Sequence, residues 1–446
     1  CGLKLAISSS TQRIFPCSIL ALLTFVIQLL AMITQTNKFK LFNDPIYGFI
    51  AIPSALVFDL IEHPTFQRLR RISQLGLSSL VYAGANHTRF HHALGSMHLM
   101  QRAIHVLQSK GHAISGTEAE AVFVAILLHD IGHGPFSHAL ENSLVDNVSH
   151  ESISTMLMAK LNKDFGGKLD MAIDIFRDKH PKRFLHQLIS SQLDMDRLDY
   201  LKRDAFYTGV VEGVINSERL LAMLNVANNE LVMEQKGITS IEKFLVSRSL
   251  MYWQVYMHKT VLSAEYMLAQ VLKRANELAQ SGTELFAGKS LAFFLAHRPN
   301  KQDFMDNPEV LEAFTLLDDA DITGAMKQWM HFDDPVLSQL CTRLINRQLF
   351  QLRFLEQDVS EQQRSYLATS IHKAHGIPMD LTAQFMLEGV ASNATYRSDS
   401  QEIKILKRDG EVIPLTKASE ILPISVYTHT IIRPFICWPK NIPWKD

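Results

Sequence analysis

The stretch LLHDIGHGPFSH, residues 127–138, decides how the rest of the chain is read. It continues an apolar run, Ala121 to Leu128, and sets three histidines, an aspartate, two glycines and a proline in twelve positions. A helix that crosses a core and finishes on His129-Asp130 offers an imidazole nitrogen and a hard carboxylate oxygen at one point. His133 follows one helical turn after His129. Gly132, Gly134 and Pro135 end the helix and turn the chain. On spacing alone a bland reading stands beside the metal one, a histidine satisfying helix C-terminal carbonyls. A metal needs more donors. His91 or His92 upstream, and an acid of LDMDRLDY (193–200) downstream, are the candidates. A mixed nitrogen and oxygen set suits Fe, Mn, Zn, Ni or Mg better than a thiolate-rich structural site does.

The bulk of the sequence narrows the classes. Its 446 residues are 47% hydrophobic and 20% charged, ordinary for a globular protein that buries a core. Lys plus Arg (44) nearly balance Asp plus Glu (45), so no global basic field argues for an obligatory nucleic-acid partner. The four cysteines are scattered and form no CxxC pair, which excludes a disulfide scaffold and suits a reducing cytoplasm. IFPCSILALLTFVIQLLAMI, residues 14–33, carries no charge and is long enough to span a bilayer. It reads as a segment outside the native protein, translation starting at Met32. Membrane anchoring and a buried helix are the alternatives.

The periodicity predicts a mainly α fold with a small α/β lobe at the C-terminus. Residues 1–31 are the apolar leader, 32–284 a helical core, 285–385 a helical lobe and 386–446 the α/β lobe. A strand and turn are expected at 42–53, and helices at 54–63, at 65–76 with Thr65 as cap, and after Asn86. A Thr117/Glu120 capping box is expected to open the helix that runs into His129. Continuous helices are predicted over 188–207 and 244–279. Asp409-Gly410, between alternating segments at 401–415, predicts a hairpin, and 424–438 supplies a further strand.

HTRFHHALG (87–95), HDIGHGPFSH (129–138), HES (150–152) and DMDRLDYLKRD (194–204) occur in one order. With NDPIYGFI (43–50) and FQRLRRISQLG (66–76), they resemble the HD-domain phosphohydrolases, most closely the deoxynucleoside triphosphate triphosphohydrolases. The likeness runs from about Asn43 to about Leu272, and no SAM domain is expected ahead of it. Carried over by position, it makes His92, His129, Asp130 and Asp196 the ligands of one divalent metal ion. His87 and His91 are left structural. A second Mg with the substrate phosphates is a further implication. The guanosine-polyphosphate hydrolase branch is disfavoured, because Ile131-Gly132-His133-Gly134 stands where that branch places Glu-Asp.

The resemblance also implies the rest of the site. Arg89, Arg197, Arg248, His258 and Lys259 are expected at the phosphates, Gln74 and Leu75 along the substrate, and Tyr200, Asp204 and Tyr256 at the sugar. Asp204 would accept from the 3′-hydroxyl. His138 is expected as general acid with Glu141 behind it on the helix. His133, His150 and Glu151 are expected to bind phosphate and order the attacking water. EHPTFQRLR (62–70) resembles a guanine-nucleotide activator segment, which points to Glu62, Gln67 and Arg70. The expected activity is conversion of a dNTP to deoxynucleoside and tripolyphosphate in a cytoplasmic homo-oligomer. Other nucleotide phosphohydrolase chemistry, or nucleotide sensing with little turnover, is the alternative.

Overall fold

The computed structural model describes residues 40–136, 143–393, 395–396 and 402–445. Six helices frame the site. Helix α1 (Arg89–Ser109) starts where the Thr88 amide donates to His91 Nδ1 at 3.2 Å, so His91 serves the helix start. Helix α2 (Gly116–Leu128) opens on a reciprocal box: the Glu118 amide donates to Ser115 Oγ at 3.2 Å and the Ser115 amide to Glu118 Oε2 at 2.8 Å. That box displaces the expected Thr117/Glu120 pair by two residues, because Ser115 is the residue that takes the extended backbone of a cap. Helix α3 (His150–Asp164) is capped by Ser149, and α4 (Met195–Thr208) by Asp194, whose Oδ1 accepts from the Arg197 amide at 2.7 Å.

The single helix expected over 244–279 is interrupted. Helix α5 (Ile238–Met251) runs into a π-helical turn, Tyr252–Tyr256, before α6 (Lys259–Gln280) begins with His258 as its cap. The segment 188–207 is likewise helical only from Met195, since Asp194 caps there. The helix expected from Thr65 starts at Pro64, gives way to a 3-10 turn at Arg68–Arg71 and ends there, well before Gly76. Helix α1 packs on both α2 and α4 through a continuous apolar core that includes Phe90, Met97, Leu127, Leu128 and Leu198.

Among the described residues there are three sheets. Where one strand and a turn were expected, β1 (Leu41–Asp44) and β2 (Gly48–Ala51) form a two-stranded sheet. Strands β3 (Leu224–Ala227) and β4 (Glu230–Glu234) form a hairpin that the sequence reading missed. Beyond residue 350, β5 (Gln351–Phe354) interrupts the stretch expected to be helical throughout, and β6 (Leu387–Asn393) follows. Strands β7 (Lys404–Leu406) and β8 (Val412–Pro414) are the hairpin foreseen around Asp409-Gly410, with Gly410 at φ +89°. Strand β7 pairs parallel to β4, Met233 opposite Ile405. Strand β9 (Ile431–Trp438) lies between β5 and β6, with Cys437 opposite both Leu352 and Leu387. No helix among the described residues is long and apolar enough to cross a membrane, and residues 14–33 lie outside them.

Candidate active site and metal centre

The ends of α1, α2 and α4 meet at one point. His92 faces inward from the first turn of α1, His129 and Asp130 follow the last turn of α2, and Asp196 sits in the first turn of α4. His92, His129 and Asp130 each bring one ligand atom within 4.8 Å of the others. Asp196 Oδ1 lies 3.1 Å from His92 Nε2 and 3.4 Å from His129 Nε2. The four residues named from the sequence as ligands are therefore brought together.

Each imidazole is held from behind, so that Nε2 faces the cluster. His92 Nδ1 meets Asp199 Oδ2 at 2.8 Å, and His129 Nδ1 meets the Ile126 carbonyl at 2.6 Å. Asp199 is itself gripped by Arg203, from Nε at 2.9 Å and Nη2 at 3.0 Å, and Arg203 Nη1 reaches Asp44 Oδ2 at 2.8 Å. Such outer partners fix the tautomer and orientation of ligating histidines. The sequence reading did not assign Asp199 or Arg203. Their signal was present, three residues after Asp196 and four after Asp199 on one helix. Gly95 makes the close approach possible, since a Cβ there would stand 2.0 Å from Asp199 Oδ1.

The electrostatics suit a cation. Burial opposes charge on His92, but hydrogen bonds to Asp196 and Asp199 outweigh it and push the imidazole up to about 10. His129 is raised in the same way: burial works against it, and Asp130 and Asp196 prevail. Asp196 is held far below the usual carboxylate range by His129 and His92 despite its burial. Asp130 also lies well below that range, against burial, through His129, His133 and Arg89. The carboxylates thus demand positive charge at this point. A divalent ion meets that demand better than protons on two neighbouring imidazoles that repel one another. Two imidazoles and two carboxylates are a donor set that fits a divalent metal ion.

A cleft of about 420 Å³ opens on the cluster. Asp130, Asp196, Arg89, Arg197, His133 and His150 line it, together with Gln74, Leu75, Tyr200, Asp204, Tyr252 and Tyr256. A second opening, about 600 Å³, reaches His129, Asp130 and Asp196 past Glu151, Arg177 and His186. Arg89 forms an ion pair with Asp130. His133 stacks on His150 with ring centres 3.9 Å apart, and its Nε2 lies 3.3 Å from Asp130 Oδ1. Burial, and then Arg89, push the His133 imidazole down to about 3, so the ring is neutral. Gly132 lets the turn lie against α3: a Cβ would stand 2.3 Å from the His150 carbonyl oxygen. Ser154 ties the same two segments, accepting from the Gly132 amide at 2.9 Å and donating to the His129 carbonyl at 2.8 Å.

Other expected residues are placed differently. Asp204 has both oxygens engaged, with His87 Nε2 at 2.8 Å and the Tyr256 hydroxyl at 2.7 Å. Arg248 is buried and donates to Gln192 Oε1 at 3.2 Å, away from the cleft lining. His258 caps α6, and Lys259 Nζ lies 5.4 Å from the centre of the Phe354 ring; neither lines the cleft. Gln67 accepts from Arg70 Nε at 2.8 Å, Arg70 stacks 3.5 Å over Phe90, and Glu62 is exposed. His138 and Glu141 lie outside the described residues.

The comparisons with known proteins identify the family. The HD domain model matches residues 89–204, and the HD associated region matches 215–289. A solved phosphohydrolase from Bacteroides thetaiotaomicron is 50% identical, with a TM-score of 0.87 over 90% of this chain and 99% of that one. An uncharacterized protein of Bacillus subtilis is 33% identical over 404 residues, 87% of this chain and 89% of its own length. A Dictyostelium discoideum protein named as a deoxynucleoside triphosphate triphosphohydrolase SAMHD1 homolog is 31% identical over 266 residues. That match covers 55% of this chain and 51% of the relative, about half of each. With its metal-ligand geometry, its family match and relatives similar along most of their length, the chain belongs to the HD-domain phosphohydrolase family.

Proposed function

We propose that the protein hydrolyses deoxynucleoside triphosphates to deoxynucleoside and tripolyphosphate, with one divalent metal held by His92, His129, Asp130 and Asp196. The observation that carries this reading is the single cleft lined by both chemistries. Asp130, Asp196 and the Arg89 and Arg197 cations share its wall with Gln74, Tyr200, Asp204 and Tyr256. At about 420 Å³ it falls in the range of small-ligand sites. The identity with the Dictyostelium relative supports the same substrate class.

A bound divalent ion polarises a phosphoryl oxygen and makes water a better nucleophile. The protein's own groups do the remainder. Arg89 and Arg197 offset phosphate charge. Neutral His133, stacked on His150, accepts a hydrogen bond from the attacking water. His138, with Glu141 behind it, is assigned the proton for the leaving oxygen on sequence spacing alone. Asp204 receives the sugar 3′-hydroxyl by sharing or displacing the Tyr256 hydroxyl. Arg248, His258 and Lys259 reach the phosphates only if α5 and α6 shift on binding. Glu62, Gln67 and Arg70 form the activator site, for a guanine nucleotide, in a homo-oligomer.

The test is turnover of dNTPs, NTPs and monophosphates with Mn²⁺, Fe²⁺ or Mg²⁺, with and without GTP or dGTP. Tripolyphosphate from dNTPs supports the reading. Orthophosphate alone points to another nucleotide phosphohydrolase, and binding without turnover to a sensor.

A further inference from the structure

The metal turn is held on its far side by a segment 183 residues further along the chain. Arg68 is fully buried, and its described hydrogen bonds all go to backbone carbonyls. Nη2 donates to His133 at 2.8 Å, Nη1 to Ile131 at 3.3 Å and Nε to Leu317 at 2.9 Å. The guanidinium lies 4.7 Å from the centre of the Phe314 ring. Asp319, two residues beyond Leu317, grips the same turn again. Its Oδ1 accepts from the Phe136 amide at 3.0 Å and its Oδ2 from the Ser73 amide at 2.8 Å. Phe136 sits at φ +49°, a conformation that residues with side chains rarely adopt. Ser73 directly precedes Gln74 and Leu75, which line the cleft.

A buried guanidinium bonded, among the described residues, to backbone carbonyls alone is a costly way to fill space; an apolar side chain of similar volume packs as well. The arrangement makes sense if its product is placement. We infer that Arg68 and Asp319 are positioning residues: together they set the His133 turn and the Gln74-Leu75 wall against each other without touching metal or substrate. Both ligand imidazoles stand outside this brace, since His92 is held by Asp199 and His129 by the Ile126 carbonyl. Loosening the brace is therefore expected to cost turnover while sparing metal affinity.

This inference rests on the cleft being the nucleotide site, so its test carries readouts that need no nucleotide. The full-length protein and its Asp319→Ala, Asp319→Asn and Arg68→Lys variants are compared by Mn²⁺ titration with EPR detection. Amide hydrogen exchange and kcat and KM for the dNTP turned over fastest complete the comparison. Asp319→Ala is expected to keep its Mn²⁺ Kd within about twofold and to lose kcat on the order of 10- to 100-fold, as a displacement near 1 Å does. Its exchange should rise in peptides covering 131–136 and 73–75 and not elsewhere. Asp319→Asn keeps one acceptor and should fall between. Arg68→Lys keeps the charge but not the fork, and should follow Asp319→Ala. Unchanged kcat, unchanged exchange in those peptides, or Mn²⁺ affinity and melting temperature collapsing together would each overturn the inference. If the wild type turns over no nucleotide, the functional reading fails, and exchange with the Mn²⁺ comparison still decides this one.

Discussion

His129 and Asp130 are adjacent in sequence, but what they do is set by what stands behind and beside them. His129→Ala or Asp130→Asn should lower bound metal to near the detection limit and turnover by more than about 100-fold. Elemental analysis of the purified variants, with circular dichroism to confirm folding, checks this; full metal occupancy in either variant would remove that residue from the ligand set. Tyr256 acts one step further out. Its hydroxyl donates to Asp204 at 2.7 Å. Tyr256→Phe should raise KM for a dNTP several-fold and leave kcat within about twofold, since one hydrogen bond contributes about 1 kcal/mol. Steady-state kinetics over a range of dNTP concentrations separates the two parameters. The candidate ligands could be named through the resemblance, which rests on the local patterns His-Asp, Arg-Phe-x-His and Asp-x-Asp. Asp199 was not assigned because its helical spacing from Asp196 does not say that it bonds the ring of His92, 107 positions earlier.

At the scale of elements, the site depends on how closely α1 and α4 approach. Gly95→Ala puts a Cβ 2.0 Å from Asp199 Oδ1 and 2.2 Å from Arg203 Nη2, both buried. Overpacking of that kind typically costs about 1–3 kcal/mol. Urea unfolding should show a loss of that size together with weaker metal binding; wild-type values in both would mean that the helices have slack. A second element responds to pH. Asp334 caps the helix Pro335–Ile345 and binds Arg274 of α6, with Nη2 of Arg274 at 2.6 Å from its Oδ2. Although burial works against it, the Arg274 hydrogen bond holds its carboxyl below the usual range. The folded state therefore prefers the charged form. Its stabilisation is present above about pH 4, the ordinary carboxylate pKa, and is lost as pH falls through the lower folded value. Asp334→Asn should cost about 1 kcal/mol at pH 7 and much less at pH 3, by urea unfolding at both. A pH-independent difference would assign the effect to packing. The helix breaks at Met195 and at Tyr252–Tyr256 were hidden because the apolar pattern continues across them, and a continuous 3.6-residue period does not register a cap or an extra residue in a turn.

Across the whole molecule, the C-terminal strands are part of the frame. Strand β9 supplies the pairing partner of both β5 and β6, and β7 extends the β3–β4 hairpin. Truncation before residue 402 should leave both sheets with open edges and yield aggregated protein, whereas a free-standing lobe would leave a soluble, metal-binding core. Size-exclusion chromatography of the truncated chain distinguishes the two. The sequence by itself determined the family, the mainly helical class and the C-terminal hairpin, because each is written in short-range patterns such as motif order, helical period and an Asp-Gly turn; the metal-ligand set came from the resemblance. Only the tertiary structure decided which partners stand behind His92 and His129, that Asp204 is engaged by His87 and Tyr256, and that Arg68 and Asp319 bond the turn after Asp130. Those contacts join residues up to 183 positions apart. They arise from chain closure around a shared core, which local propensity does not encode.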